Sequence, residues 1–201
     1  MSSETPERLK QAVEDLLLAK GEAGITLRDI TESANANVAA VAYHFKSKDN
    51  LVALVFGEAI DEVTSLQTKR IQSLKPGHSL RDLIDVWLHP LLSPGAGVDR
   101  EGRLWLIIQR GAAERAPGFL RNMARAASPV ENTLIPLLAS HLPHLTKEEL
   151  LFRHNAILSG LAGLVSGPIA QTMTKETSGN QLSEYVISWI MGSLQGPASQ
   201  R

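Results

Sequence analysis

A chain of 201 residues, 43% of them hydrophobic, is long enough to bury a sizeable core, as one large domain or as a small one joined to a larger. Without cysteine it has no disulfide, no catalytic thiol and no thiolate ligand for zinc, and no run of about eighteen apolar residues is present to span a membrane. A net charge of −1 excludes nothing by itself, but the first fifty residues hold six Lys and Arg against eight Asp and Glu, a balance that argues against nucleic-acid binding.

The polar, acidic start at Met1 lacks the basic-then-apolar layout of a secretory signal, so a cytoplasmic location is expected. Thr5 and Pro6 open a first helix, because the N–H that proline lacks has no partner in the first turn. Leu9, Val13, Leu16 and Leu17 carry its apolar stripe, and Gly21 and Gly24 end it. Thr26-Leu-Arg-Asp29 is a capping box for a second helix, with Leu27, Ile30 and Ala34 on one face. Asn35-Ala36-Asn37 forms a turn; asparagine tolerates the left-handed backbone, and Asn37 is placed to cap a short third helix over about Val38 to His44. Ser47 caps a long fourth helix with Lys48 in its first turn. Leu51, Val55, Ala59, Val63 and Leu66 run along it until Pro76-Gly77 stops it.

Ser79-Leu-Arg-Asp82 is a second box, followed by Leu80, Leu83, Ile84, Trp87, Leu88 and Leu91 at helical spacing. Residues 93–102 read as a loop, and a helix over about Arg100 to Ala113 carries Leu104, Trp105, Ile107 and Ile108. Pro117-Gly118 breaks it, and Ser128-Pro129 kinks or restarts the helix that follows. Thr146-Lys-Glu-Glu149 is a third box, opening a long helix to about Thr172. Leu182, Tyr185, Val186, Trp189 and Ile190 mark the last helix. No stretch alternates with a period of two. The expected fold is all-α with about nine helices: a three-helix head over 1–50, joined by the long fourth helix to a larger helical body over 51–201.

Two helices joined by a tight turn, the second one short, form the helix-turn-helix layout, in which the second helix enters the DNA major groove; the same geometry also occurs as a plain hairpin inside helical bundles. Thr26 to Ile30, Ala34 and above all Val-Ala-Tyr-His-Phe-Lys-Ser-Lys-Asp-Asn-Leu from Val41 to Leu51 resemble the tetracycline-repressor (TetR) family of bacterial transcriptional regulators, over about residues 5–56. The remainder is similar to that family only in being a helical bundle of the usual length. The resemblance implies a homodimeric regulator, most simply a repressor. It would bind double-stranded operator DNA and leave it when a small, largely apolar effector enters the body, with no cofactor.

By the same resemblance Tyr43, His44 and Lys48 are phosphate contacts. A phenol, an imidazole and an ammonium can each donate to phosphate oxygens, and Lys48 also sits at a helix start, where free N–H groups favour an anion. Val41 and Phe45, four apart, anchor the third helix inward. The family's base-reading positions fall on Val38, Ala39 and Ala40, which have no polar edge and can meet only a thymine methyl. Val38 is equally well placed on the inner face with Val41. Ala42 stands where the family often has an aromatic residue. Thr26, Arg28 and Asn37 are the remaining polar candidates. Modest affinity per subunit, with DNA shape contributing, is the expectation, so two subunits must act together.

In the body, Leu83, Trp87, Leu104, Trp105, Ile108, Phe119 and Met123 are the candidate ligand lining, with His89, Gln109 and Arg110 as polar groups; each also serves as ordinary core. Leu158, Leu161, Val165, Tyr185 and Trp189 are the candidate dimer interface, among the small residues Ser159, Gly160, Ala162 and Gly163, with intramolecular packing the competing reading. Two other functions compete: a helical adaptor holding a protein partner, and an enzyme sited in the body. His141 and His144 are the close histidine pair, but Pro143 separates them and no carboxylate pattern accompanies them. No Gly-x-Ser-x-Gly or phosphate loop occurs, so no metal ligand or catalytic residue is assigned.

Overall fold

The computed structural model describes residues 4–89, 99–166 and 179–199, apart from the side chains of 126–128, 130, 131, 162, 165, 166, 179 and 180. Among the described residues there are eleven α-helices and no strand. They are α1 (Glu4–Lys20), α2 (Leu27–Ser33), α3 (Val38–Phe45), α4 (Lys48–Gln72), α5 (Leu80–Trp87) and α6 (Arg100–Ala113), then α7 (Pro117–Leu120), α8 (Met123–Pro129), α9 (Ile135–His141), α10 (Lys147–Ser166) and α11 (Gly179–Gln195). A 3₁₀ turn, Glu22–Gly24, follows α1, and a π turn, Val130–Leu134, follows α8.

The local signals set most boundaries. Thr26 accepts from Asp29 N–H at 3.1 Å while the Asp29 carboxylate accepts from Thr26 N–H at 2.8 Å, closing the box that starts α2. Ser79 and Asp82 repeat it at α5. Asn35 adopts φ 46° in the turn, Asn37 Oδ1 caps α3 through Ala40 N–H at 2.9 Å, and Ser47 caps α4 through Asn50 N–H at 3.1 Å. The third expected box is half formed: Thr146 accepts from Glu149 N–H, but the Glu149 carboxylate turns forward to Arg153 at 2.7 Å and to Ser199. The count exceeds nine because 117–141 is divided into α7, α8 and α9. Pro129 has no N–H for the regular ladder, and the chain passes through a π turn before α9.

α1, α2 and α3 pack on one another and on the start of α4, burying Leu9, Val13, Leu17, Ile30, Val41 and Leu51. The boundary expected after residue 50 falls in the first turn of α4, and the apolar cluster continues along this helix through Val52, Val55, Phe56 and Ala59 into the body. There α4 packs against α5, α6, α7 and α8, α6 packs on α10, and α11 packs on α10 and α5. No helix among the described residues is long and apolar enough to cross a membrane.

Candidate nucleic-acid interface and its link to the body

The face of α3 follows from its period. Val41 is fully buried, Phe45 and Ala40 are half-buried against the core, and Ala39, Ala42 and Tyr43 point away. Tyr43 is 84% exposed and Val38 53%, so Val38 lies on the outer side and the inner alternative is set aside. His44 is exposed and meets the Tyr43 ring edge-on, with centroids 4.8 Å apart. After a two-residue turn, α4 opens at Lys48. Its half-buried ammonium donates to Ile25 C=O at 3.0 Å, a bond that uses one of three protons and fixes the side chain near the start of α2.

The other head candidates are differently employed. Thr26 is exposed but committed to its capping box. Asn37 gives its carbonyl to the cap of α3, which leaves its amide N–H₂ as donor. Arg28 is exposed but paired with Glu32 at 2.6 Å. Lys20 donates to Asp29 at 2.8 Å, and with the box it holds that carboxyl well below the usual range.

The acidic surplus of the head is sorted by face. Glu14 is buried and pairs with Arg100 at 3.0 Å, and Asp15 pairs with Arg103, both cations coming from α6. Glu22 is buried and accepts from Gly118 N–H in α7 at 2.8 Å. Three head acids therefore meet the body, away from α3. Arg8 and Lys46 are exposed head cations without an ion pair among the described residues. The count along the sequence thus understated the positive character of the outer face.

This junction is closely fitted. A Cβ on Gly118 would lie 2.9 Å from Phe56, 3.0 Å from the Glu22 carboxylate and 3.2 Å from Val52, so only glycine lets α7 approach. Phe119 packs edge-on against Phe56 at 6.1 Å, and Asn122 donates to Ala53 C=O at 2.8 Å. Arg110 donates to Leu18 C=O and pairs with Glu114. Arg110, expected at a ligand, is joined to the head instead, and Phe119 packs on α4 at Phe56. Met123, the first residue of α8, is 52% exposed and departs from the expected lining.

Leu83, Leu104 and Trp105 are buried core, Ile108 is half-buried, Gln109 is buried and His89 exposed. Of the expected lining, Trp87 borders a cavity of about 20 Å³, with Thr64, Gln67, Thr68, Ile71, Pro129, Thr133 and Leu134 completing the wall. That volume admits about one water. His154 of α10 lies parallel to Trp87 at 5.2 Å, is only 4% exposed, and its Nε2 has no hydrogen-bond partner. Burial pushes its pKa down to about 4, so the ring is neutral at pH 7. The sequence does carry a signal for it: Leu150, His154, Ile157 and Leu161 share the buried face of one helix.

Leu161 is fully buried and Leu158 half-buried inside the chain, so both serve the intramolecular core instead of an outer face. Val165 lies in α10 with its side chain outside the description, and 167–172 of the expected interface lie outside the described residues. Tyr185 and Trp189 are exposed, and Phe152, 72% exposed on α10, joins them. Trp189 lies over Gly160, where a Cβ would come within 2.7 Å of its ring. His141 is in edge-on contact with His78, and the His144 ring nitrogen faces Gly196 C=O, so the two histidines do not converge.

Residues 10–55 match the family model for bacterial regulatory proteins of the tetR family. An uncharacterized HTH-type transcriptional regulator in the dhlA 5′ region of Xanthobacter autotrophicus is 26% identical over 139 residues, 67% of either chain. A transcriptional regulator from Rhodococcus sp. Rha1 superposes with a TM-score of 0.69 at 20% identity, covering 98% of this chain and 100% of its own. Another, from Saccharomonospora viridis in complex with choline, gives a TM-score of 0.69 at 17% identity, covering 94% and 97%.

Proposed function

We propose that the chain, whose residues 10–55 match the tetR family model, is a homodimeric repressor of that family whose operator affinity falls when a small molecule enters the body. The observation that carries this is the outward row on α3: Tyr43 and Val38 stand in solvent while Val41 holds the helix to the core. In this reading Tyr43, His44 and Lys48 donate to phosphates of one strand. Val38 and Ala39 meet thymine methyls, with Ala40 at the edge of the contact. Thr26 and Arg28 approach the flanking backbone at the start of α2, Arg28 exchanging Glu32 for a phosphate. The protein would work in the cytoplasm, where its DNA is.

In this reading the effector site is the cavity at Trp87, whose ring His154 backs at 5.2 Å. Thr64, Thr68 and Thr133 offer hydrogen bonds, and the indole and the aliphatic wall offer apolar area. The cavity walls at Trp87 carry threonines and a glutamine but no charged side chain, which favours an uncharged, mostly apolar molecule. The Saccharomonospora relative is in complex with choline, a cation, so ligand charge is a point on which the two proteins would differ. Since the cavity holds only about 20 Å³, an effector must part α4, α5 and the turn after α8. The motion reaches the head along α4 and through the Glu22–Gly118 bond.

Fluorescence anisotropy with a duplex covering the region upstream of the protein's own gene tests the reading. Saturable binding, competed by the same duplex and not by unrelated DNA, is expected. Equal affinity for both duplexes removes the regulator reading.

A further inference from the structure

A groove of about 390 Å³ runs between the first turns of α1 and the flank of α3, lined by Thr5, Arg8, Asn35, Asn37 and His44 with Ala36 and Ala40 at its floor. Every polar side chain in this wall can donate a hydrogen bond, and no carboxylate lines it. Asn37 has already given its oxygen to the cap of α3, so its amide presents N–H₂. The Arg8 guanidinium is exposed and has no carboxylate partner among the described residues, unlike Lys10, which is held by Glu7 and Glu58. A concave surface of donors around one unneutralised cation is suited to an anion with several acceptor oxygens.

Position selects the anion. Asn37, Ala40 and His44 occupy one side of α3, at helical spacing, next to the outward row. His44 belongs to both surfaces, for its ring borders the groove and also touches Tyr43 at 4.8 Å. We propose that this groove seats a backbone phosphate of the DNA half-site, adjoining the phosphate met by Tyr43, and that Arg8 is the cation of the seat. Arg8 lies outside the matched segment 10–55. The inference rests on the DNA-binding reading above and adds a second contact to a head otherwise poor in free cations.

Arg8→Gln and Arg8→Lys, compared with the unchanged protein, test it by duplex anisotropy over a series of salt concentrations. Each phosphate neutralised contributes about 0.9 to the slope of log K against log salt, so Arg8→Gln should make the slope shallower by about two per dimer and weaken binding by about tenfold on every duplex. Arg8→Lys should keep the slope, because the slope counts charge. Arg8 is exposed, so thermal unfolding of both variants should coincide with that of the parent. Parent binding with an unchanged slope in Arg8→Gln overturns the inference and leaves the DNA-binding reading standing. Failure of the parent to bind any duplex overturns both. Inorganic phosphate added to the parent gives the last arm. If phosphate raises its melting temperature in an Arg8-dependent way while duplex affinity ignores Arg8→Gln, the groove takes a free anion and the inference fails.

Discussion

The carboxylate of Glu22 accepts from the backbone N–H of Gly118 at 2.8 Å inside the protein, joining the turn after α1 to the short helix α7. Both groups are shielded from water, so neither has another partner if the bond is lost. Glu22→Ala is expected to destabilise the fold by about 1–3 kcal/mol, because it strands a buried N–H. Glu22→Gln keeps an acceptor oxygen and should cost less. Urea denaturation separates the two. If the bond also conveys effector binding to the head, Glu22→Ala will show a smaller change in duplex affinity on effector addition than the parent. An unaltered response would confine transmission to α4.

Tyr43 makes the opposite prediction. At 84% exposure it supports little of the core, and replacing it by Ala should change stability by no more than about 0.5 kcal/mol. Its loss should weaken duplex binding by about tenfold, and Tyr43→Phe should reproduce much of that, since the phenolic O–H is the donor. Binding by Tyr43→Ala equal to that of the parent would remove the outward row of α3 from the interface.

How much was legible follows from the range of each interaction. The capping boxes at Thr26 and Ser79 and the caps at Asn37 and Ser47 span three residues, and the sequence displays them in full. The sides of α3 and α4 are legible through their period. The Glu22–Gly118 bond joins residues 96 apart, and no local pattern announces it. Phe119 and Met123 depart from the expected lining for a related reason. Each is apolar at helical spacing, but α7 is only four residues long, so the stripe that would place Phe119 and Met123 on one face is interrupted. The acidic count of the head misled because a sum along the chain ignores direction: Glu14 and Asp15 are neutralised by Arg100 and Arg103 of the body.

His154 gives a pH dependence with a definite sign. Its ordinary pKa is 6.5, and burial lowers it to about 4 in the fold. Between these values the unfolded chain accepts a proton that the folded chain refuses, so stability falls as pH drops through this window. The contribution is fully present above pH 6.5 and lost progressively down to about pH 4, by about 3 kcal/mol. His154→Phe would keep a ring against Trp87, remove the titrating group and remove the unpartnered Nε2. Its unfolding free energy should match or exceed the parent's at pH 7 and lose this part of the slope. An identical pH profile in the variant would assign the acid sensitivity to other groups.

The outer face of α10 and α11 bears on assembly. Phe152, Tyr185 and Trp189 are exposed there among Asn155, Ala156, Ser159 and Gly163, small groups that allow two helices to approach closely. Exposed aromatic residues in such a setting favour burial against a second copy. Trp189 is already partly engaged over Gly160, so replacing it would mix folding with assembly. Phe152 is freer, at 72% exposure. Phe152→Glu should leave the melting of a monomer intact and place two like charges in a symmetric interface, where each residue faces the same patch of its partner. Sedimentation velocity should then show a monomer where the parent is a dimer. Duplex affinity should fall well beyond the effect of any one phosphate contact, because two linked heads bind with an effective concentration that separate heads lack. A Phe152→Glu protein that sediments as the parent does would move the interface off this face.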